Sequence, residues 1–329
     1  MESKIKHEDC VAKPTNNNED DTGDLIFTPR LYRQRYDAVV DIARKYQPKK
    51  VVDMGCSECK LLRKLKNESY IEELIGVDID NLALESNQHL GQPLISDYLY
   101  PRDNPLSVII LCGSVADYDS RLSNCDMMAC VELIEHLDPP VLEALRENIF
   151  HRIQPNVVVM TTPNADFNVL FKDFQGLRHW DHRFEWTRQQ FQEWGNSIAD
   201  QYNYIVTYSG VGAGPDGTQH LGQCSQMAVF IKSCKERIPI VSENRMPYLL
   251  IQESIHPIKK VISTEEAILL EVQYYVRLLR CQNKEDSSDD IEENNTSSDE
   301  ASDCLDTITL ERLLQFTRVN KLCASVGKL

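Results

Sequence analysis

The sequence predicts an α/β fold, a mostly parallel seven-stranded sheet with helices on both faces. Three observations carry this. Short apolar runs alternate with amphipathic helical stretches between residues 25 and 235, the pattern of repeated βαβ units. Two of the runs end on acids beside small residues, Val52-Asp53-Met54-Gly55 and Gly76-Val77-Asp78, and doubly wound sheets bind ligands at the carboxyl ends of their strands. The flanking stretches, by contrast, are polar and of low complexity.

The elements follow in order. Leu31 to Tyr46 reads as a helix and Lys50 to Met54 as the first strand, followed by a helix from Ser57 to Lys66. Leu74 to Ile79 is the second strand, with a helix from Leu82. Val108 to Leu111 and Met127 to Val131 are the third and fourth strands. A helix starts at Pro139, since proline is tolerated in a first turn. Val157 to Met160 is the fifth strand. Trp186 to Tyr202 is helical, with Phe191, Trp194 and Ile198 on one face. Ile205 to Tyr208 and Met227 to Ile231 complete the seven, and Met246 to Ile251 is a candidate further strand. Ser263 and Glu266 form a capping box before a helix from Ala267 to Leu279.

Residues 1–24 are expected to be a disordered tail. Residues 25–282 are expected to form the folded domain, with a C-terminal extension from about residue 236. Residues 283–306 read as an acidic disordered linker and 307–329 as a short helix or tail. Of the net charge of −16, the segment 285–306 carries −10 and the segment 1–24 carries −4, leaving −2 for the remainder. That near-neutral core allows a local basic groove. No run approaches the roughly 18 apolar residues of a membrane span, and MESKIKHEDC lacks the apolar core of a secretory signal. A cytosolic or nuclear setting without membrane partners is expected. The 11 cysteines have no framework spacing; Cys56-x-x-Cys59 lacks the second pair of a zinc site and sits in a strand-to-helix turn.

That turn is the first candidate site. Gly55 lets the backbone approach a ligand closely. Asp78, 25 residues after Asp53, is placed to accept hydrogen bonds from ribose hydroxyls. Ser114, after the third strand, could border an adenine. A dinucleotide would require G-x-G-x-x-G, and Gly55-Cys56-Ser57-Glu58-Cys59-Lys60 holds one glycine. The stretch resembles instead the D-x-G-x-G turn of class I, Rossmann-like methyltransferases, with Ser57 where the second glycine is usual. The resemblance implies S-adenosylmethionine as cofactor, held by Asp53, Gly55, Asp78 and Ser114.

The second candidate site is Glu132-Leu133-Ile134-Glu135-His136, directly after the fourth strand. Acids and a histidine there suit a helix N-terminus as well as a metal. Position separates the two readings, because in class I methyltransferases this strand ends beside the donor methyl. Arg178-His179-Trp180-Asp181-His182-Arg183-Phe184-Glu185-Trp186 adds a further ligand type, with Arg178 and Trp180 suited to a phosphate and a base of single-stranded nucleic acid.

Together, Glu132, Glu135, His136, the run Asp181 to Trp186, and Phe27-Thr28-Pro29-Arg30-Leu31-Tyr32-Arg33-Gln34-Arg35-Tyr36 resemble the Hen-type small-RNA 2′-O-methyltransferases, in the animal form. Arg30 stands where that family often has a second proline. Thr162-Pro163-Asn164 fits too. The resemblance spans roughly residues 25–235. It implies that Glu132, Glu135, His136 and His182 hold Mg²⁺ or Mn²⁺ and are the catalytic set. It implies methyl transfer to the 3′-terminal 2′-hydroxyl of small single-stranded RNA with a free 2′,3′-diol. The substrates implied are Piwi-interacting RNAs, presented by a Piwi-family protein in the cytoplasm or its RNA granules. His136 and His182 both remain candidates to accept the proton. A metal-independent methyltransferase acting on a small molecule or protein, and an inactive methyltransferase-like scaffold, are the alternatives.

Overall fold

The strands alternate side chains between two faces, and both faces are covered. The computed structural model describes residues 25–172, 174–233, 244–260, 263–286 and 308–325. Strands β1 (Lys50–Met54), β2 (Glu73–Asp78), β3 (Ser107–Cys112), β4 (Met127–Val131) and β5 (Val157–Pro163) pair in parallel. β6 (Tyr204–Ala213), β7 (Gln223–Lys232) and β8 (Leu249–Ile255) run antiparallel to their neighbours. The sheet order is β6-β7-β5-β4-β1-β2-β3-β8. The expected count of seven is therefore exceeded by one. β8 lies on the outer edge of β3, three to four residues later than the candidate run, with a register shift at Ile110/Leu111. Its polar Gln252-Glu253-Ser254 stretch masks it in sequence; an edge strand meets solvent along one side and tolerates such residues.

Period-two alternation sorts the apolar residues. Val52, Met54, Ile75, Val77, Met128 and Val158 face one layer, which is completed by Phe150, Phe191 and Phe230. Val51, Leu74, Val108, Met127, Val157 and Val159 face the other, against Val39, Leu61, Leu62 and Leu65. Helix α1 (Leu31–Tyr46) buries the i, i+4 stripe Leu31, Arg35, Val39 and Ala43, so an arginine occupies a core-facing position.

Helix α2 (Lys60–Leu65) begins three residues later than expected. Gly55, Ser57 and Cys59 all take positive φ, +79°, +43° and +56°, so the chain stays a turn until Lys60. Helices α3 (Asn81–Asn87) and α4 (Ile95–Leu99) connect β2 to β3, and α5 (Pro139–Arg146) continues as a π-helical turn to Ile153. Helix α6 is Arg188–Tyr202, with Thr187 as its N-cap in a capping box with Gln190.

The described residues fall into two units, divided after Ile258. The second contains α7 (Thr264–Asp286), α8 (Leu310–Leu314) and α9 (Thr317–Ser325), with Tyr275 stacked on Phe316 at 3.8 Å. The segment 1–24 and residues 287–307 of the acidic stretch lie outside the described residues. No described helix is long and apolar enough to cross a membrane.

Candidate active site and metal centre

The direction of crossover reverses between β1 and β4, and there a doubly wound sheet opens a crevice at its carboxyl end. Both candidate sites fall on it. Glu132 follows β4 at φ +49°. Its N–H donates to the carbonyl and to the hydroxyl of Thr161, each at 3.1 Å. Ile134 is buried in the core, which anchors the short turn Ile134–His136 and turns both glutamates inward.

Glu135 is fully buried and accepts from Thr162 Oγ1 at 2.9 Å through Oε2. Burial, and then the charge of Glu132, pushes its carboxyl well above the usual range. Glu132 Oε2 pairs with Arg35 Nη1 at 3.3 Å and accepts from Ser225 Oγ at 3.3 Å. The remaining oxygens, Oε1 of Glu132 and Oε1 of Glu135, are buried with no hydrogen-bond donor among the described residues.

The second motif is tied to the first by its backbone, since Arg183 N donates to Glu135 O at 2.7 Å. His182 Nδ1 lies 2.6 Å from Glu185 Oε1, and His136 Nδ1 lies 3.3 Å from Asp181 Oδ2. The hydrogen-bonded carboxylate of Glu185 orients the His182 imidazole and leaves its Nε2 for a cation. Burial raises the Glu185 carboxyl, but hydrogen bonds from His182, the Arg178 N–H and Asn168 outweigh it and hold the group below its usual value. Donor atoms of His136, His179 and His182 lie within 4.8 Å of one another.

Glu132, Glu135, His136 and His182 line one pocket, with about 480 Å³ of empty space open to solvent. Its other walls include Phe27, Leu31, Arg35, Phe171, Arg178 and His179. Two buried carboxylate oxygens without a donor among the described residues share this pocket with the imidazoles, residue types that suit a hard or borderline divalent cation, although the donor atoms that converge within 4.8 Å are those of the three histidines and not of the glutamates.

Arg178 is committed to the protein. It donates to Asn168 Oδ1 at 2.5 Å, Cys224 O at 2.9 Å and Asn164 O at 2.5 Å, and lies over the Phe171 ring. It therefore clamps the loop onto the ends of β5 and β7. Trp180 is 75% exposed, beside the His179 ring.

On the cofactor side, Asp53 is buried at the end of β1, and burial, then Asp78, pushes its carboxyl up to about 8. Asp78 Oδ2 accepts from Ser57 N at 2.7 Å and Oδ1 from Asp80 N at 2.9 Å. Asp78 thus shapes the turn, and each oxygen keeps a second lone pair for a ligand. The two sites meet at Leu133, whose Cδ1 would stand 2.9 Å from a Cβ on Gly55. Ser114 Oγ accepts from Ala116 N at 3.2 Å, and its carbonyl accepts from Tyr248 Oη at 3.0 Å. Tyr248 packs on Gly113 so closely that a Cβ there would lie 2.0 Å from its ring.

Arg35 and Tyr248 escaped the sequence reading as site residues, and His179 entered it only as part of the cluster around His182. Arg35 was signalled by its place in a buried i, i+4 stripe, and His179 by its i, i+3 spacing from His182. Tyr248 had no local signal.

The chain matches no family model. It is 41% identical over 263 residues to the small RNA 2′-O-methyltransferase of Gallus gallus, covering 79% of this chain and 70% of that protein. The protein of that name from Drosophila melanogaster is 38% identical over 285 residues, 80% of this chain and 72% of the relative. The chain belongs to the small RNA 2′-O-methyltransferase family.

The Rattus norvegicus member is 46% identical over 209 residues, 64% of this chain and 53% of its own length, so the chain spans about half of that relative. Among solved structures, the small RNA methyltransferase HEN1 aligns with TM-score 0.60 and 26% identity over 75% of this chain and 30% of its own. The methyltransferase domain of bacterial CtHen1-CN aligns with TM-score 0.52 and 31% identity over 61% of this chain and 100% of its own. Membership makes the chain a methyltransferase of this family, the enzyme class that the sequence resemblance implied.

Proposed function

We propose that the chain transfers a methyl group from S-adenosylmethionine to the 2′-hydroxyl of the 3′-terminal nucleotide of small single-stranded RNA, aided by Mg²⁺ or Mn²⁺. Glu132, Glu135, His136 and His182 would hold the ion. The observation that carries this is the pair of buried carboxylate oxygens without a donor among the described residues, sharing one pocket with His136 and the carboxylate-held imidazole of His182. When bound, such an ion supplies Lewis acidity toward a vicinal diol.

The chain's own residues do the remaining work. Asp78 accepts hydrogen bonds from donor hydroxyls, Asp53 lies buried beneath the turn at the end of β1, and Gly55 lets the donor lie against the turn. Arg35 neutralises part of the Glu132–Glu135 charge, while the clamp of Arg178 holds the loop closed. Leu133 couples the two halves, so acceptor and donor are held at a fixed relative position. In the transfer the S–CH₃ bond breaks with its electron pair remaining on sulfur, an O–CH₃ bond forms, and the 2′ proton leaves. His179, the pocket imidazole not assigned to the ion, can pass that proton to solvent.

Resemblance to the animal members supports Piwi-interacting RNA as the acceptor, presented by a Piwi-family protein in the cytoplasm, with 3′-end protection as the outcome. The test is a labelled-methyl assay on one RNA carrying either a 3′ hydroxyl or a 3′ phosphate, with and without chelator. Labelling is expected for the free diol without chelator alone. Equal labelling of both ends, or labelling unaffected by chelator, would overturn the reading.

A further inference from the structure

We infer that the first turn of α1 and the start of α2 form a second RNA contact, a cationic aromatic ledge gripping the single strand just 5′ of its terminal nucleotide. The inference rests on the RNA-methylating reading and adds the path by which the strand leaves the pocket. Leu31 and Arg35 of α1 line the pocket, and Lys60 opens α2 directly after the cofactor turn. The surface between them therefore borders both halves of the site.

Tyr32 lies on that surface, flanked by cations. The Arg33 guanidinium is 5.8 Å and Lys60 Nζ 5.4 Å from its ring centroid. Arg33 Nε donates to Tyr32 Oη at 3.1 Å, and Tyr36 meets the ring edge-on at 5.8 Å. That hydrogen bond, joined by the charges of Arg33, Lys60 and Arg30, holds the phenol below its ordinary value. In a chain of net charge −16, the stretch from Arg30 to Tyr36 holds three arginines and no acid.

Arg35 turns inward to Glu132, and Lys60 pairs with Glu58. Arg30 and Arg33 are exposed and make no ion pair among the described residues. Three cations of the loop across the pocket and of the helix that follows it are engaged. Arg178 is clamped inward, Arg183 pairs with Asp138 at 3.3 Å, and Arg188 pairs with Asp166 at 3.1 Å. A polyanionic strand gains most from cations that have no partner to give up, and its bases stack on exposed rings. The exit over α1 offers Arg30 and Arg33, which are outside the ion pairs of the described residues, beside the half-buried Tyr32 ring.

The test measures binding of a labelled single-stranded RNA with a free 3′ diol against salt concentration, using the full chain. Each phosphate-contacting cation contributes about 0.7 to the slope of log affinity on log salt. Arg30→Ala with Arg33→Ala is expected to make that slope shallower by about 1.4, and Arg30→Lys with Arg33→Lys to restore it. Tyr32→Leu is expected to weaken binding at least about fivefold. An unchanged slope in the alanine pair, or no recovery in the lysine pair, overturns the ledge. The wild-type methyl assay is read separately. Transfer with an unchanged slope removes the ledge alone, whereas absence of transfer removes the parent reading.

Discussion

Glu185 touches neither proposed substrate, yet it fixes His182. Its carboxylate holds His182 Nδ1 at 2.6 Å while accepting from Arg178 N and Asn168 Nδ2, each at 2.6 Å. Glu185→Ala is expected to lower Mn²⁺ affinity by about 10–100-fold, measured by calorimetry on the RNA-free protein; unchanged affinity would remove this orienting role. Asp53 offers a pH test. Its folded carboxyl is pushed up to about 8, against about 3.9 when unfolded. For an acid shifted upward, the contribution to stability is fully present below the unfolded value and is lost as pH rises toward the folded one. Asp53→Asn is therefore expected to gain in Tm over wild type as pH rises from about 4 to about 8 without the methyl donor. A pH-independent difference would refute the shift. Single residues were the most legible scale for ligand types, because carboxylates and imidazoles declare their chemistry. Arg178 was not legible in this way, since a guanidinium bound to three protein oxygens looks in sequence like one free for phosphate.

Among the elements, the turn between β1 and α2 departs furthest from expectation. Ser57 replaces the usual second glycine yet keeps a left-handed φ of +43°, paid for in part by its N–H bond to Asp78. Relieving an L-residue from that region is worth about 1 kcal/mol, less the backbone entropy that glycine adds. Ser57→Gly is expected to raise stability by at most about 1 kcal/mol while retaining donor affinity, as followed by urea unfolding; a clear loss of stability would show that the side chain supports the turn. Elements with strong periodicity were read nearly to the residue, as α1 and β4 were. Helix α2 was read too early, because hydrophobic spacing does not report φ. β8 was only glimpsed, because a polar edge strand is selected by pairing with β3 rather than by its own pattern.

At the scale of the whole molecule, every residue placed in the site lies between Phe27 and Tyr248, inside the unit that ends at Ile258. A chain ending at Ile258 is expected to unfold cooperatively and to bind S-adenosylhomocysteine within threefold of the full chain's affinity, roughly 0.7 kcal/mol. A larger loss, measured by calorimetry, would assign part of the donor site to the helices beyond. By itself, the sequence determined the alternating architecture, the two motif blocks and the resemblance that joined them, because side-chain periodicity and ligand chemistry are local properties of a chain. Only the tertiary structure decided that Glu135 O anchors the loop of His182, that Leu133 joins the metal turn to Gly55, and that Arg35, His179 and Tyr248 belong to the site. It also decided which cations of the pocket's rim are already spent on ion pairs. Those facts depend on where distant segments meet, and that is set by the packing of both faces of one sheet.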